Sequence, residues 1–258
     1  MTGVQTCALP IFKIIRDDSI GNYSWDSSDS STNSGYGVND WTNADAMKLL
    51  NSGYDGEIVG GSLYWNAKSG TCYSGSSNAA TSCDFTSTGL KNDLTRNAIE
   101  SVVWNLGGTA SYNSASNGLA SHWYGYERGT TVYSGHETTW TGKVGLMYQS
   151  DYGYATAGGA TTNRAACLAK ELYNWDGSGV SDCKNNDYLY KSSYNQWTLV
   201  PHSSIAYYAF RVNAGGFVYN DRANNTYGVR PVVFLKSNIS ITDVGLGTAK
   251  SPFQLKVG

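Results

Sequence analysis

The sequence predicts a single α+β domain in which two or three helices accompany many short antiparallel strands. Three observations predict it. Apolar residues recur at helical spacing in only three windows, 40–51, 90–106 and 163–173. Elsewhere, short runs rich in Val, Ile, Tyr and Phe are separated by Gly, Ser and Asn, the punctuation of strands and turns. Helical and extended stretches do not alternate strictly, which favours α+β over a regular βαβ order.

In chain order, residues 1–11, MTGVQTCALPI, resemble a translated sequencing-library adapter. They are set aside as non-native, as a fusion scar would be, and Cys7 goes with them. The native N-terminus is then missing, so the absence of a signal peptide says nothing about compartment. The domain is taken as residues 12–258. Residues 12–25 read as a strand, a turn at Asp17-Asp18 and a second extended piece. Residues 26–37 are Ser-, Asp- and Asn-rich and read as a surface loop. In window 40–51, Thr42 is placed to cap a helix whose apolar face is Ala44, Ala46, Met47, Leu49 and Leu50. A second helix is expected over 90–106, where Leu94, Ile99, Val102, Val103 and Leu106 recur and Gly107-Gly108 stops it. A short third helix over 163–173 carries Cys167.

Composition narrows the function. Charged residues make up 15% of the chain and the formal net charge is −2, against roughly 25% charged in soluble domains. No Lys/Arg cluster offers the electrostatic footprint of nucleic-acid binding. No apolar run is long enough to span a bilayer. Tyr outnumbers Phe 20 to 6, so some of these hydroxyl-bearing rings are expected to face solvent or a ligand.

Four native cysteines remain, Cys72, Cys83, Cys167 and Cys183, and three pairings can be drawn. Each close pair lies in a polar Ser/Asn/Gly-rich stretch, which favours local bridges 72–83 and 167–183. A zinc site is the rival, but no CxxC or CxxH spacing occurs; unrelated reduced thiols are the third reading. Disulfides imply an extracytoplasmic compartment.

The C-terminal stretch holds the candidate site. Between Pro201 and Tyr227, 12 of 27 residues are Tyr, Asn, Ser or Gly, the mixture that recognition loops use for contact area and adaptable hydrogen bonding. Tyr208, Phe210 and Val212 alternate with Ala209, Arg211 and Asn213. Asn213-Ala214-Gly215-Gly216 can turn the chain, and Phe217-Val218-Tyr219 resumes an extended pattern, so a hairpin is expected. Pro231 belongs at a strand start, bulge or edge. Candidate ligand-binding residues are His202, Ile205, Tyr207, Tyr208, Tyr219, Asp221, Asn225 and Tyr227.

This stretch, WTL, a polar middle and then GVRPVVFL, resembles the C-terminal end of the C-type-lectin-like fold. The version is that shared by formylglycine-generating enzymes and the variable proteins of diversity-generating retroelements. Trp197, Gly228, Arg230 and Pro231 are the matching positions, and the resemblance gives them structural roles. FKIIRDDSIGNYSWD, WTGKVGLMYQSDYGYAT and SDCKNNDYLY are similar to cell-surface proteins of gut Firmicutes, many of which begin with a prepilin-type anchor. The likeness covers most of 12–255. It implies a surface-displayed module with a diversified face between fixed anchors. The formylglycine-generating enzymes need reactive cysteines near their C-terminal end; this chain has none after Cys183, which removes that activity. The tripeptides that bind calcium and sugar in C-type lectins are absent too.

Catalytic signals are thin. His122, His136 and His202 stand apart from nucleophiles, and no metal motif occurs. Glu127, Glu137 and Asp151 sit among Tyr and Trp as a glycosidase pair does, but solvated acids or buried partners of Arg128 and Arg164 account for them more simply. Trp123, Tyr124, Tyr126 and Trp140 could stack on sugar rings or fill the core, and core filling is the simpler account. Arg230 is expected to be buried and paired with a carboxylate. The sequence thus points to a non-catalytic extracellular module, without metal or cofactor, that binds a surface protein or glycan through 201–227. The alternatives are a carbohydrate-binding module using Trp/Tyr stacking and, less favoured, a glycan-active enzyme.

Overall fold

The computed structural model describes residues 12–257 apart from 31–32, 55, 58–61, 243, 247–250 and 252–253. The adapter expectation for 1–11 lies outside the described residues.

The chain begins with β1 (Lys13–Ile15), bends at Asp17 and Asp18, and continues into β2 (Asn22–Ser24), in line with the reading of 12–25. Residues 26–37 depart from theirs, because Asp26, Ser27 and Asn33 are buried. Asp26 accepts the amides of Ser28 (3.0 Å) and Val38 (2.7 Å), and Asn33 donates to the Gly37 carbonyl (2.7 Å). Short polar side chains satisfied by nearby backbone can fold inward, so their abundance marks local hydrogen bonding rather than exposure.

The first helix, α1 (Asp45–Leu50), is shorter than its window and buries Ala46, Met47 and Leu50. Thr42 does not cap it. The Asp40 carboxylate accepts from Thr42 N (3.1 Å) and Oγ1 (2.7 Å), closing a turn ahead of the helix. β3 (Ser69–Tyr73) and β4 (Ala80–Asp84) then make an antiparallel hairpin, bonded by Cys72–Cys83.

The largest correction concerns 90–106. α2 (Asp93–Ala98) covers only its start, Ile99 bridges Leu235, and the chain continues as β5 (Val102–Asn105). No α2 residue is buried and Leu94 is 80% exposed, so the supposed apolar face is not one. After α3 (Ala120–Glu127), β6 (Thr139–Gly142) returns to pair with β5, Trp104 opposite Trp140. The β-branched and aromatic run Val102-Val103-Trp104 finds a strand partner there, and pairing outweighs helical spacing. Gly107 and Gly108 are not a helix stop. A Cβ on them would lie 2.3 Å from the Tyr126 carbonyl and 2.1 Å from that of Pro201, so they let backbone segments touch.

β7 (Val144–Gly145) leads into α4 (Gln149–Ala155), which packs on α3. Their sequences, ASHWYGYE and QSDYGYA, lack apolar spacing, so tertiary contact rather than amphipathicity holds both helices. Window 163–173 splits into α5 (Arg164–Leu168), capped by Asn163, and a separate 3-10 turn at Leu172–Asn174. α6 (Ser181–Asn185) carries Cys183, bonded to Cys167. Both disulfides therefore follow the local pairing. The described residues hold six short α-helices rather than two or three.

The last third builds the main sheet from β8 (Gln196–Pro201), β9 (Tyr208–Val212), β10 (Val218–Arg222) and β11 (Thr226–Gly228), with strand order β10-β9-β8-β11-β2. Its pairs are antiparallel except where β11 meets β8 at Gly228 and Gln196. β12 (Val232–Phe234) lies between β1 and β7, with Pro231 immediately before it. β13 (Ile239–Ile241) and β14 (Leu255–Val257) pair with each other. Six tryptophans, Trp25, Trp41, Trp104, Trp123, Trp175 and Trp197, are under 2% exposed and form the centre of the core. The fold is α+β, with short helices around small, mainly antiparallel sheets. No helix of the described residues is long and apolar enough to cross a membrane.

Candidate functional site

The expected hairpin is present as β9 and β10, in register from Val212–Val218 to Tyr208–Arg222. Its turn closes through Asn213 N to the Phe217 carbonyl (2.8 Å) and Gly216 N to the Asn213 carbonyl (2.7 Å), with Gly216 at φ +93°. Four side chains hold the turn from outside it. Lys184 Nζ donates to Gly215 O (2.6 Å), Tyr190 OH to Ala214 O (2.6 Å) and Tyr152 OH to Gly216 O (2.7 Å), while Asn195 Oδ1 accepts Ala214 N (2.9 Å). The hairpin tip is thus fixed to the domain.

The four positions expected to be structural, Trp197, Gly228, Arg230 and Pro231, are buried. Trp197 is 1% exposed and donates to the Tyr23 carbonyl (3.0 Å). A Cβ on Gly228 would meet the Tyr194 ring at 2.5 Å. Arg230 is buried, as expected, but its partners differ from the carboxylate foreseen. It donates to the carbonyls of Arg16 (3.1 Å) and Leu189 (2.7 Å) and to Gln196 Oε1 (2.7 Å). Carbonyl dipoles and an amide satisfy this guanidinium in place of an ion pair.

The candidate residues fall into three groups. Tyr207 and Tyr208, both half-buried, contact each other at 5.1 Å between centroids, and Tyr207 meets Tyr36 at 5.4 Å. The Arg222 guanidinium lies 3.9 Å from the centre of the Tyr36 ring. Tyr219, 38% exposed, gathers with Tyr173 (5.9 Å), Tyr112 (6.0 Å) and Phe217 (6.3 Å). The third group is a polar network on Asp221. Its carboxylate accepts Arg211 Nε (3.2 Å), Asn225 Nδ2 (2.6 Å) and Tyr227 OH (2.7 Å). Burial, and then the bond to Asp221, push the Tyr227 hydroxyl up to about 12. Arg211 is 8% exposed, and its Nη1 has no hydrogen-bond partner among the described residues.

His202 lies behind the first group, its ring edge-on to Tyr208 at 6.1 Å and its amide on the Tyr208 carbonyl (2.9 Å). It is 5% exposed, stacked on Phe210 at 5.8 Å, and burial pushes its pKa down. Ile205 is half-buried in the loop that follows. That loop is held by Asn39, whose amide nitrogen stands 2.9 Å from the carbonyls of His202 and Ile205 and 2.6 Å from that of Tyr208. The sequence reading missed Asn39 and Tyr36. Neither bears a local signal, since both meet their partners across more than 150 residues of chain.

The carboxylates considered for catalysis sit differently. Glu127 is fully buried and accepts the amide and hydroxyl of Ser150, with Arg128 at 3.3 Å. Burial pushes it up to about 7. Glu137 is exposed, and Asp151 pairs with Lys13 and accepts the Tyr148 amide (2.8 Å). Of the ring-rich stretch, Trp123 is 0% exposed and packs on Phe210, and Trp140 lies edge-on to Trp41. Among the described residues no group of three or more His, Cys, Asp or Glu could hold a metal ion. No family model, curated protein or solved structure matches this chain.

Proposed function

We propose that the protein is a non-catalytic, extracellular ligand-binding or adhesion module whose contact face is the 201–227 stretch. One observation carries this reading. A hairpin whose turn is tied down by Lys184, Tyr190, Tyr152 and Asn195 carries partly exposed rings, Tyr208 on β9 opposite Arg222 and Tyr219 on β10, with Tyr207 just ahead of β9. Rigid aromatic anchors on a fixed support lose little entropy on binding, which is what a recognition surface needs. His202 contributes packing beneath this face rather than contact. The two disulfides support an oxidising compartment. The burial of Glu127 counts against its service as an acid on a bound glycan, and that of Trp123 against its own stacking on a sugar, whereas Tyr124 in the same stretch is 49% exposed.

The test needs no knowledge of the ligand. Tyr207, Tyr208, Tyr219 and Asn225 are randomised in one displayed library, and Trp197, Gly228 and Arg230 in another. Both are selected for protease resistance. The contact set should accept many residues and the anchor set almost none. Equal intolerance would show the rings to be core and sink the reading.

A further inference from the structure

A cleft of about 710 Å³ opens between α1, the 26–28 segment and the disulfide-bonded β3–β4 hairpin. It shares no lining residue with 201–227, and its size is that of a pocket for a small ligand. Three carboxylates line it, Asp26, Asp40 and Asp45, against one ammonium, Lys48, with Tyr54 and Tyr73 also in the wall.

Two of the carboxylates are held in place. Asp26 is 3% exposed yet reaches this space, and Ser28 N (3.0 Å), Ser28 Oγ and Val38 N (2.7 Å) all donate to its Oδ1. Asp45 Oδ2 receives both Ser27 N (2.8 Å) and Ser27 Oγ (2.6 Å). Among the described residues neither forms an ion pair. Burial, and next the charge of Asp45, raise Asp26 to about 6. Two like charges are therefore fixed side by side around a space large enough for a ligand.

We propose that this cleft binds an alkylammonium group, as carried by a lysine side chain or an amino sugar. An ammonium offers three donors to carboxylate oxygens, and the tyrosine rings accept its polarised methylenes and charge. A neutral sugar would leave the Asp26–Asp45 repulsion in place. A bare metal ion lacks the convergent ligand set here.

The test is calorimetric titration of the full chain at low ionic strength with four probes. They are an end-blocked Gly-Lys-Gly peptide, its Nε-acetylated form, a glucosamine trimer and the N-acetylglucosamine trimer. At least one amine should bind saturably and its acetylated partner about tenfold or more weaker; which amine binds identifies the source. Asp26→Asn and Asp45→Asn keep an acceptor for the backbone and should each weaken binding about tenfold. Lys48→Gln, on the half-exposed side of α1, should tighten it. Tyr207→Ala should leave it unchanged, which separates this site from the contact face. Equal affinity for the acetylated probes, no amine binding up to about 10 mM, or weaker binding in Lys48→Gln would each overturn the proposal.

Discussion

Trp197 and Tyr227 pack with ring centroids 4.7 Å apart, the first wholly buried and the second half-buried with its hydroxyl on Asp221. Under the proposed function the pair marks where support ends and contact begins. Trp197→Ala should cost about 3–5 kcal/mol, the range for emptying a large aromatic core site. Tyr227→Phe keeps the ring and loses the hydrogen bond to Asp221 and a longer one from Asn225 (3.4 Å), about 1 kcal/mol. Tyr207→Ala, further out, should cost less than Trp197→Ala by about 2 kcal/mol or more. Thermal melts rank the three; a Tyr207 variant that melts as early as the Trp197 variant contradicts the assignment of this face.

Stability should fall as pH rises. Asp26, Glu127 and Asp187 are raised to about 6, 7 and 8, in each case chiefly by burial. Their unfolded-chain values are about 4. A carboxyl raised in the folded state holds its proton there and gives it up on unfolding. The stability it contributes is complete below about pH 4 and is lost as pH climbs through the folded value. The melting temperature should therefore decline between about pH 4.5 and 8. Glu127→Gln should flatten the part of that decline below about pH 7. A melting temperature that rises over this window would refute the burial of these groups in their neutral form.

Asn39 should prove a structural determinant of the contact face despite its distance in sequence. Asn39→Ala removes the amide that faces three loop carbonyls, at about 2 kcal/mol for buried groups left unpaired. Hydrogen exchange should quicken at the Tyr208 amide, which bonds the Ile205 carbonyl across this loop. Asn39→Asp keeps the shape but cannot donate, so it should be at least as damaging. Unchanged exchange in both variants would mean the loop holds itself.

Non-reducing peptide mapping of protein made in an oxidising compartment should recover the peptides linking Cys72 to Cys83 and Cys167 to Cys183. Opening either loop should cost about 3 kcal/mol in the chain-entropy view. Free thiols at all four positions would remove both the pairing and the argument for export.

Local signals in the sequence carried far. The hairpin at 208–222, Pro231 ahead of its strand and both disulfides follow from residues close together in the chain. The window 90–106 failed because helical spacing cannot register a strand partner that arrives with Trp140. Helices α3 and α4 were invisible for the converse reason, since each is stabilised by the other rather than by its own pattern. At the candidate site, ring-rich composition marked out the stretch but not the division of its residues into three groups. That division depends on Tyr36, Tyr112 and Tyr173, which come from elsewhere in the chain. The burial of Arg230 was legible from the cost of a lone charge. Its carbonyl partners were not, because no rule of spacing names a backbone oxygen as far away as Arg16.

The pairing of β1 with β12 has a bearing on how the chain is born. Lys13 stands opposite Phe234, Ile15 opposite Val232, and Arg230 reaches back to the Arg16 carbonyl. In the nascent polypeptide β1 finds its partner β12 only when more than 200 further residues have been made. The 5-stranded sheet waits as well, because β2 enters it only through β11. Completion of both sheets therefore waits for the C-terminal strands, and such non-local pairings are slow to form. Products that terminate early expose an apolar strand with nothing to receive it, and quality control can read that as the mark of an unfinished protein.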